Sequence, residues 1–220
     1  SVVRLSLLSI GICSFFSYPL NYPFVLLMAV LLIAFVSTSM KKADIPVSNG
    51  TMVKNLLIVC SAILFAVTGY EIYYEYKWKS IAYNSLAGQT EIMLPEYDNL
   101  FKSTYLGNKS LFLYNYGAEL NYINKYQDSN HILLLCSKYL KDYDVHMLLG
   151  YNYEQLDSLK HAEKHYYLAH KMVPVKFMPL YSLAKLYDRT GQKKNAYMLA
   201  EEIINKEVKI PSLKINRIKN

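Results

Sequence analysis

Two histidines four residues apart, His161 and His165 in the segment HAEKH, form the arrangement in the chain that comes closest to a metal site. Side chains at this spacing share one face of a helix, where two imidazoles can bind the same metal ion. The order of residues differs from the H-E-x-x-H arrangement of zinc proteases, in which a glutamate acts as general base. Because no third ligand follows nearby, we interpret the pair as part of a solvated helix face and predict no metal site.

Other residue types that carry chemistry are sparse. The three cysteines, Cys13, Cys60 and Cys136, stand in apolar surroundings and are interpreted as small packing residues, not as a disulfide framework. The sequence contains neither a glycine-rich phosphate loop nor a G-x-S-x-G nucleophile elbow. The residues therefore predict no catalytic group and no cofactor, and they leave open whether the chain serves an enzyme.

Charge and hydropathy divide the chain of 220 residues into two parts. Of its 24 Lys and Arg residues 20 follow Tyr70, as do 16 of its 17 Asp and Glu residues and 19 of its 22 tyrosines. The net charge of +7 thus combines a few lysines in an apolar first part with a mildly basic second part. Because the basic residues of the second part are dispersed among acidic ones, the charge pattern does not predict nucleic-acid binding.

The apolar part contains three segments that can cross a bilayer, which we place at about 2–18, 22–40 and 54–72. The second of them includes the uninterrupted apolar run from Phe24 to Val36, and a spanning helix needs about 20 mostly apolar residues. The alternative is a set of buried helices in a soluble protein. Three such segments with almost no charge between them favour membrane lipid as their surroundings.

Basic residues predict the orientation of these spans. Lys41, Lys42 and Lys54 lie between the second and third spans, so the positive-inside rule places this loop in the cytoplasm. The third span then leads outward, and the residues after about Ile72 are expected outside the cytoplasm. Ser1 opens directly on an apolar segment, so we expect the chain to be the C-terminal piece of a longer membrane protein.

The second part contains a sequence repeat typical of tetratricopeptide repeat (TPR) proteins. Around Gly150 the TPR pattern is formed by Leu149, Gly150, Tyr153, Ala162, Tyr166, Ala169 and Pro174. A shift of 34 residues finds the matching positions Leu183, Ala184, Tyr187 and Ala196. In such a repeat the small residues let two antiparallel helices approach closely, and the tyrosines fill the space between them. Gly191 marks the turn of the second hairpin, where Asp157 stands in the first.

The predicted fold class is all-α, with transmembrane helices followed by a TPR-like α-hairpin solenoid. The domains are the membrane part at 1–72, a repeat domain at 73–207 and a basic tail at 208–220. Two degenerate hairpins are predicted before the two that match the repeat, one at 76–106 and one ending at Tyr139. About three repeats are needed to bury a continuous core, which is why we count the degenerate ones.

The concave surface of a TPR array, lined by the first helix of each hairpin, is the predicted binding face. Repeat geometry assigns to it Tyr151, Glu154, Tyr181, Lys185, Asp188 and Arg189. The alternative for each of these residues is an ordinary solvated helix position. The basic tail is predicted either to touch anionic lipid headgroups or to cap the last repeat.

Several short motifs spread over nearly the whole chain carry a resemblance to a family of membrane proteins. They are Phe16-Ser17-Tyr18-Pro19, the span at 54–72, Asn115-Tyr116-Gly117, Leu149-Gly150-x-x-Tyr153, the link from Met172-Val173-Pro174 to Pro179-Leu180-Tyr181, and Val208-Lys209-Ile210. In this arrangement the chain resembles the C-terminal end of a bacterial O-antigen ligase/polymerase-type protein, in the form found in Bacteroidetes with an appended TPR domain.

The resemblance implies a role in lipopolysaccharide biosynthesis. The full-length protein would transfer a glycan from an undecaprenyl-diphosphate carrier on the periplasmic side, and the TPR part would bind substrate or cell-envelope proteins. The family's catalytic residues lie upstream of the matching helices, so none is assigned here. A second hypothesis is a membrane-anchored TPR scaffold that assembles cell-envelope proteins. The sequence before Ser1 separates the two, because only a ligase requires further spans and a large periplasmic loop there.

Cysteine labelling tests the predicted orientation. With the native cysteines replaced by alanine, a K160C variant should react with a membrane-impermeant maleimide in intact spheroplasts, because the repeat domain is expected outside the cytoplasm. A cysteine at Ser48, in the loop with Lys41 and Lys42, should react only after lysis. The reverse pattern would invert the topology.

Overall fold

The computed structural model describes residues 50–103, 105–208, 215 and 218. The predicted spans at about 2–18 and 22–40 lie outside these residues. The described part of the chain is helical and contains no strand, which confirms the all-α prediction. The chain divides into two units, Ser1–Lys77 and Trp78–Asn220. The predicted domain limits near residues 72 and 207 stay predictions.

Helix α1 (Gly50–Asn84) contains the predicted third span. Its apolar side chains at Leu56, Ile63 and Phe65 are exposed, Phe65 to 74%. Among the described residues, one helical stretch, Ile58–Phe101, is long and apolar enough to cross a membrane by length and composition, and its most apolar window is not buried by protein.

The second unit is built mainly from helical hairpins. After α1 the described helices are α2 (Thr90–Phe101), α3 (Ser110–Tyr122), α4 (Tyr126–Tyr139), α5 (Tyr143–Gln155), α6 (Leu159–Met172), α7 (Met178–Arg189) and α8 (Lys193–Asn205). Helices α3 and α4, α5 and α6, and α7 and α8 pack as pairs, while α4 packs on α5 and α6 on α7. The pairs therefore stack in chain order, as expected of a TPR-like solenoid.

The segment 76–106, predicted as a degenerate hairpin, is built differently. A π-helical turn (Ser85–Gln89) joins α1 to α2, with Gly88 at a φ of 87°, and the two helices pack only sparsely against each other. Aromatic rings instead join α2 to α3, where Tyr97 stacks on Tyr116 with ring centroids 5.2 Å apart. Buried rings provide the contact area here that a paired helix provides elsewhere.

Each of the three described hairpins turns at a residue of positive φ, and these residues follow one another at intervals of 33 and 34 residues. Their φ values are 62° for Asn124, 55° for Asp157 and 76° for Gly191. In each turn the following N–H donates to the carbonyl five residues earlier, with N–O distances of 2.9, 2.8 and 2.8 Å from Lys125, Ser158 and Gln192. This is the Schellman ending, which glycine and asparagine accommodate best. The correspondence of Asp157 with Gly191 is confirmed, and Asn124 extends it.

The paired helices approach each other closely at Gly117 and Gly150. A Cβ atom added at Gly150 would lie 2.5 Å from Cδ1 of Tyr166, and one at Gly117 would lie 2.7 Å from Cδ2 of Leu133. Both opposing side chains are buried, Tyr166 to within 2% exposure. In an interior packed as densely as an organic crystal neither can move aside freely, so the two glycines set the distance between the paired helices.

A buried chain of hydrogen bonds joins the first hairpin to the second. The Ser129 hydroxyl donates to the carbonyl of Gly117 at 2.7 Å, and Asn152 Nδ2 donates to Ser129 Oγ at 2.8 Å. Asn152 accepts in turn from Asn121 Nδ2 at 2.5 Å. Because Asn152 is fully buried, these partners offset the cost of removing its amide from water and fix the register of the two hairpins.

Replacement of Gly150 by alanine should destabilise the repeat domain. Alanine normally favours a helix over glycine by about 1 kcal/mol, but here its methyl group would overlap the buried Tyr166 ring, and overpacking of this kind costs about 1–3 kcal/mol. We expect a lower melting temperature by circular dichroism. Gly69→Ala is the control, because nothing lies within 4 Å of the Cβ position there. An unchanged melting temperature in G150A would contradict the role assigned to this glycine.

Candidate functional site

A cavity of about 620 Å³ lies at the last hairpin, between α7 and α8. Five of the six residues predicted for the binding face line it, namely Glu154, Tyr181, Lys185, Asp188 and Arg189. The sixth, Tyr151, is not among the lining residues, and its ring packs edge-on against Tyr126 with centroids 6.0 Å apart. The structure thus brings most of the predicted face together around one concavity, and binding there stays a prediction.

Helical periodicity explains the α7 side of the cavity. Tyr181, Lys185 and Asp188 follow one another at intervals of four and three residues, so they form one stripe along the helix. Glu154 reaches the same cavity from α5. The first helices of two consecutive hairpins therefore contribute to one wall, as the repeat geometry predicts.

The opposite wall was not predicted from the sequence. It consists of small and apolar side chains of α8 with one from the tail: Ala196, Tyr197, Ala200, Ile203, Ile204 and Ile218. All but Ile218 belong to the second helix of a hairpin, which in an array is covered by the next hairpin, so repeat geometry alone assigns them to packing. The signal that could have identified them is their spacing, since Ala196, Ala200 and Ile203 form an apolar stripe on the last described helix.

Ion pairs occupy most of the charged groups at the cavity. Arg189 contacts Asp157 Oδ1 at 2.6 Å and Glu154 Oε1 at 3.7 Å, and Lys193 contacts Asp188 Oδ1 at 2.6 Å. Exposed pairs of this kind contribute about 0–1 kcal/mol to stability. Their main effect at this site is positional, because Arg189 holds the end of α7 against the α5–α6 turn.

Tyr166 connects this ion-pair cluster to the helix-packing core. Its hydroxyl donates to Glu154 Oε2 at 2.8 Å. Burial, with the nearby Glu154 carboxylate as a second cause, raises the pKa of Tyr166. The phenol therefore stays a neutral donor, and it holds the carboxylate of Glu154 toward Arg189.

Lys185 is the exception among these charged groups. Within the described residues, no acidic side chain lies within 4.0 Å of its ammonium group, which stands 5.8 Å from the centroid of the Tyr181 ring. The cavity thus combines an apolar wall with a cation that has no carboxylate partner in the described part of the chain.

A second feature is a stack of four rings between α5 and α6. His146 stacks on His165, His165 on Tyr153, and Tyr153 on His161, with centroids 5.2, 5.4 and 5.0 Å apart. The Nδ1 atoms of His146 and His165 lie 3.0 Å apart. Sequence spacing paired His165 with His161 and missed His146, because His146 comes from the partner helix. No group of three or more metal-binding side chains was found among the described residues.

The histidine pair accommodates one proton between its two facing nitrogens. One neutral ring can donate to the other, whereas two protonated rings would place two N–H donors opposite each other. Burial, followed by the charge of His146, lowers the pKa of His165 to about 4, and Lys164 and His161 act in the same direction. Burial also lowers the pKa of His146, although Asp142 opposes it.

Solved structures agree with the fold described above. The chain is similar to a MamA RS-1 ArsTM double mutant, with 17% identity and a TM-score of 0.56 over 67% of this chain and 77% of that one. It is also similar to a crystal structure of MamA, with 18% identity and a TM-score of 0.52 over 56% of this chain and 71% of that one. A third similar structure is MamA 41-end from Desulfovibrio magneticus RS-1, with 18% identity and a TM-score of 0.54 over 66% of this chain and 75% of that one. The chain has a TPR-like helical fold. No family model and no curated protein matches it.

Acidification should weaken the middle hairpin through His165. Its pKa is about 4 in the folded chain against an ordinary 6.5, so below pH 6.5 the unfolded chain binds a proton that the folded one does not. Stability should fall by about 3 kcal/mol between pH 6.5 and 4 and level off below that. His165→Phe keeps a stacked ring but removes this titration, so its unfolding free energy should depend less on pH.

The control for this measurement is His131→Phe, which makes the same exchange at an exposed histidine outside the ring stack. Urea unfolding at a series of pH values gives the required free energies. If the unfolding free energy of H165F falls with decreasing pH as steeply as that of the parent chain, His165 is not the group that causes the loss of stability.

Proposed function

We propose that this chain is a membrane-anchored TPR-like scaffold that binds a segment of a partner protein in the cavity between α7 and α8. The observation that supports this most directly is the convergence of five residues predicted for the binding face on one cavity. Binding sites commonly combine apolar walls with a few placed polar groups, and this cavity has both. Stacked helical repeats use such extended surfaces for binding.

The anchoring part of the proposal is based on the apolar segments. The predicted span at 54–72 lies within α1, whose apolar side chains are exposed to their surroundings. A helix of this composition is more stable in lipid than in water. Together with the segments at about 2–18 and 22–40, it would hold the chain in a bacterial inner membrane with the repeats in the periplasm. Membrane lipid is then one partner and a cell-envelope protein the other.

The narrower hypothesis makes this scaffold the C-terminal part of an O-antigen ligase-like protein that acts on undecaprenyl-linked glycan. It depends on the motif resemblance, and neither a family model nor a curated protein adds support. Part of that resemblance serves packing: Asn115 accepts hydrogen bonds from Trp78 and Tyr97 at 2.9 and 2.8 Å, and Gly117 allows close approach to α4. The ligase hypothesis requires that several spans and a large periplasmic loop are encoded before Ser1. A start codon close to Ser1 would rule the hypothesis out.

Site-specific photo-cross-linking tests the scaffold function. A benzoylphenylalanine in place of Tyr181 or Tyr197, both at the cavity, should form adducts with protein in living cells, since a bound segment would touch these side chains. Tyr139 is the matched control, because it is exposed on α4 and is not a lining residue. Equal adducts from all three positions, or none from the cavity positions, would contradict binding at this cavity.

A further inference from the structure

Among the described residues, Lys185 is the charged group of the cavity between α7 and α8 that has no ion-pair partner. Arg189 and Lys193 already contact carboxylates, and Glu154 receives both Arg189 and the Tyr166 hydroxyl. Lys185 has no such partner among the described residues and is exposed. A ligand with a carboxylate can therefore pair with Lys185 without first breaking an ion pair within the protein.

The wall opposite Lys185 selects for an apolar group. Ala196 and Ala200 lie one turn apart on α8, and their small side chains leave room at the cavity. Tyr197 and Ile204 beside them remain exposed, Tyr197 to 74%. Exposed apolar area of this kind gains free energy when an aliphatic or aromatic side chain covers it. The occupant thus needs an apolar side chain and a carboxylate on the same segment.

The tail that contributes Ile218 to this wall is basic in sequence. Ile215 and Ile218 pack against the cluster of Phe177, Leu180 and Ile203 in the last hairpin, and Ile218 also lines the cavity. In the sequence these two isoleucines are interspersed with Lys214, Arg217 and Lys219. The chain as a whole carries a net charge of +7, and net positive charge raises the association rate of acidic partners.

We infer that the cavity binds an acidic amphipathic peptide segment of a partner protein. An aliphatic or aromatic side chain of that segment packs against Ala196, Ala200 and Ile204, and a carboxylate of the same segment pairs with Lys185. This inference rests on the proposed scaffold function and adds the chemistry of the partner to it. An anionic membrane surface is less suitable, because lipid headgroups could reach Lys185 but would not fill an apolar concavity.

Peptide selection tests this inference on the whole chain, held in phosphatidylcholine nanodiscs. Random dodecapeptides displayed on phage are selected for binding, and the affinities of the enriched peptides are measured by fluorescence anisotropy. Enriched sequences should combine a large apolar residue with Asp or Glu. Lys185→Glu should weaken their binding at least about tenfold, whereas Lys160→Glu, an equal charge change at an exposed position of α6, should leave it unchanged.

A second variant separates this inference from the proposed function. Ala200→Phe fills the apolar side of the cavity and should also weaken binding, with circular dichroism confirming that each variant is folded. If the A200F exchange weakens peptide binding but K185E does not, or if the enriched peptides lack acidic residues, the inference of an acidic partner is wrong and the scaffold function still stands. If neither variant changes the affinity for the peptides, both the acidic partner and binding at this cavity are contradicted. Displacement of bound peptide by phosphatidylglycerol vesicles, lost in K185E, would overturn the inference in favour of a lipid surface.

Discussion

The close approach of α5 and α6 at Gly150 is the contact on which the rest of the repeat domain depends. Without a side chain at Gly150, the Tyr166 ring occupies the space that a Cβ atom would need, and its hydroxyl reaches Glu154. Glu154 and Asp157 in turn hold Arg189 at the end of α7. One missing Cβ atom therefore determines, through three successive contacts, where α7 places the wall of the cavity. Contacts that share partners in this way are expected to be coupled in energy rather than additive.

The position of the cavity follows from the way stacked hairpins bury their cores. Each hairpin covers one face of the hairpin before it. In the last described hairpin, Val208, Ile215 and Ile218 pack against the cluster of Phe177, Leu180 and Ile203. Further apolar side chains of α8 line the cavity together with Tyr181 and Lys185. The apolar side chains of α8 thus lie next to the charged stripe of α7 at one cavity.

Buried polar groups distinguish the middle of the array from its end. Asn121, Ser129 and Asn152 satisfy one another's hydrogen bonds across the first two hairpins, and His146 faces His165 within the second. Such groups stabilise the fold only when each has its partner, so they fix one arrangement of the helices. The last described hairpin shares a buried apolar cluster with its neighbour, formed by Ala162, Tyr166, Leu183 and Leu186. Its polar contacts to that neighbour include the exposed Arg189 pairs and the Tyr187 hydroxyl, which donates to Glu163 at 2.6 Å. Exposed contacts are replaced by a ligand at lower cost than buried ones.

The sequence by itself determined the all-α class, the TPR-like hairpins and the stripe of Tyr181, Lys185 and Asp188, because helical periodicity and repeat spacing are local properties of the chain. It also identified Gly150 and the turn at Asp157, since each requires a residue type that the repeat position specifies. The tertiary structure alone decided the partner of His165, the separation of Tyr151 from the cavity, the absence of a packed hairpin at 76–106 and the apolar wall of α8. These depend on which helix lies opposite which. No spacing within one helix records that information, because it arises from contacts between residues far apart in the chain.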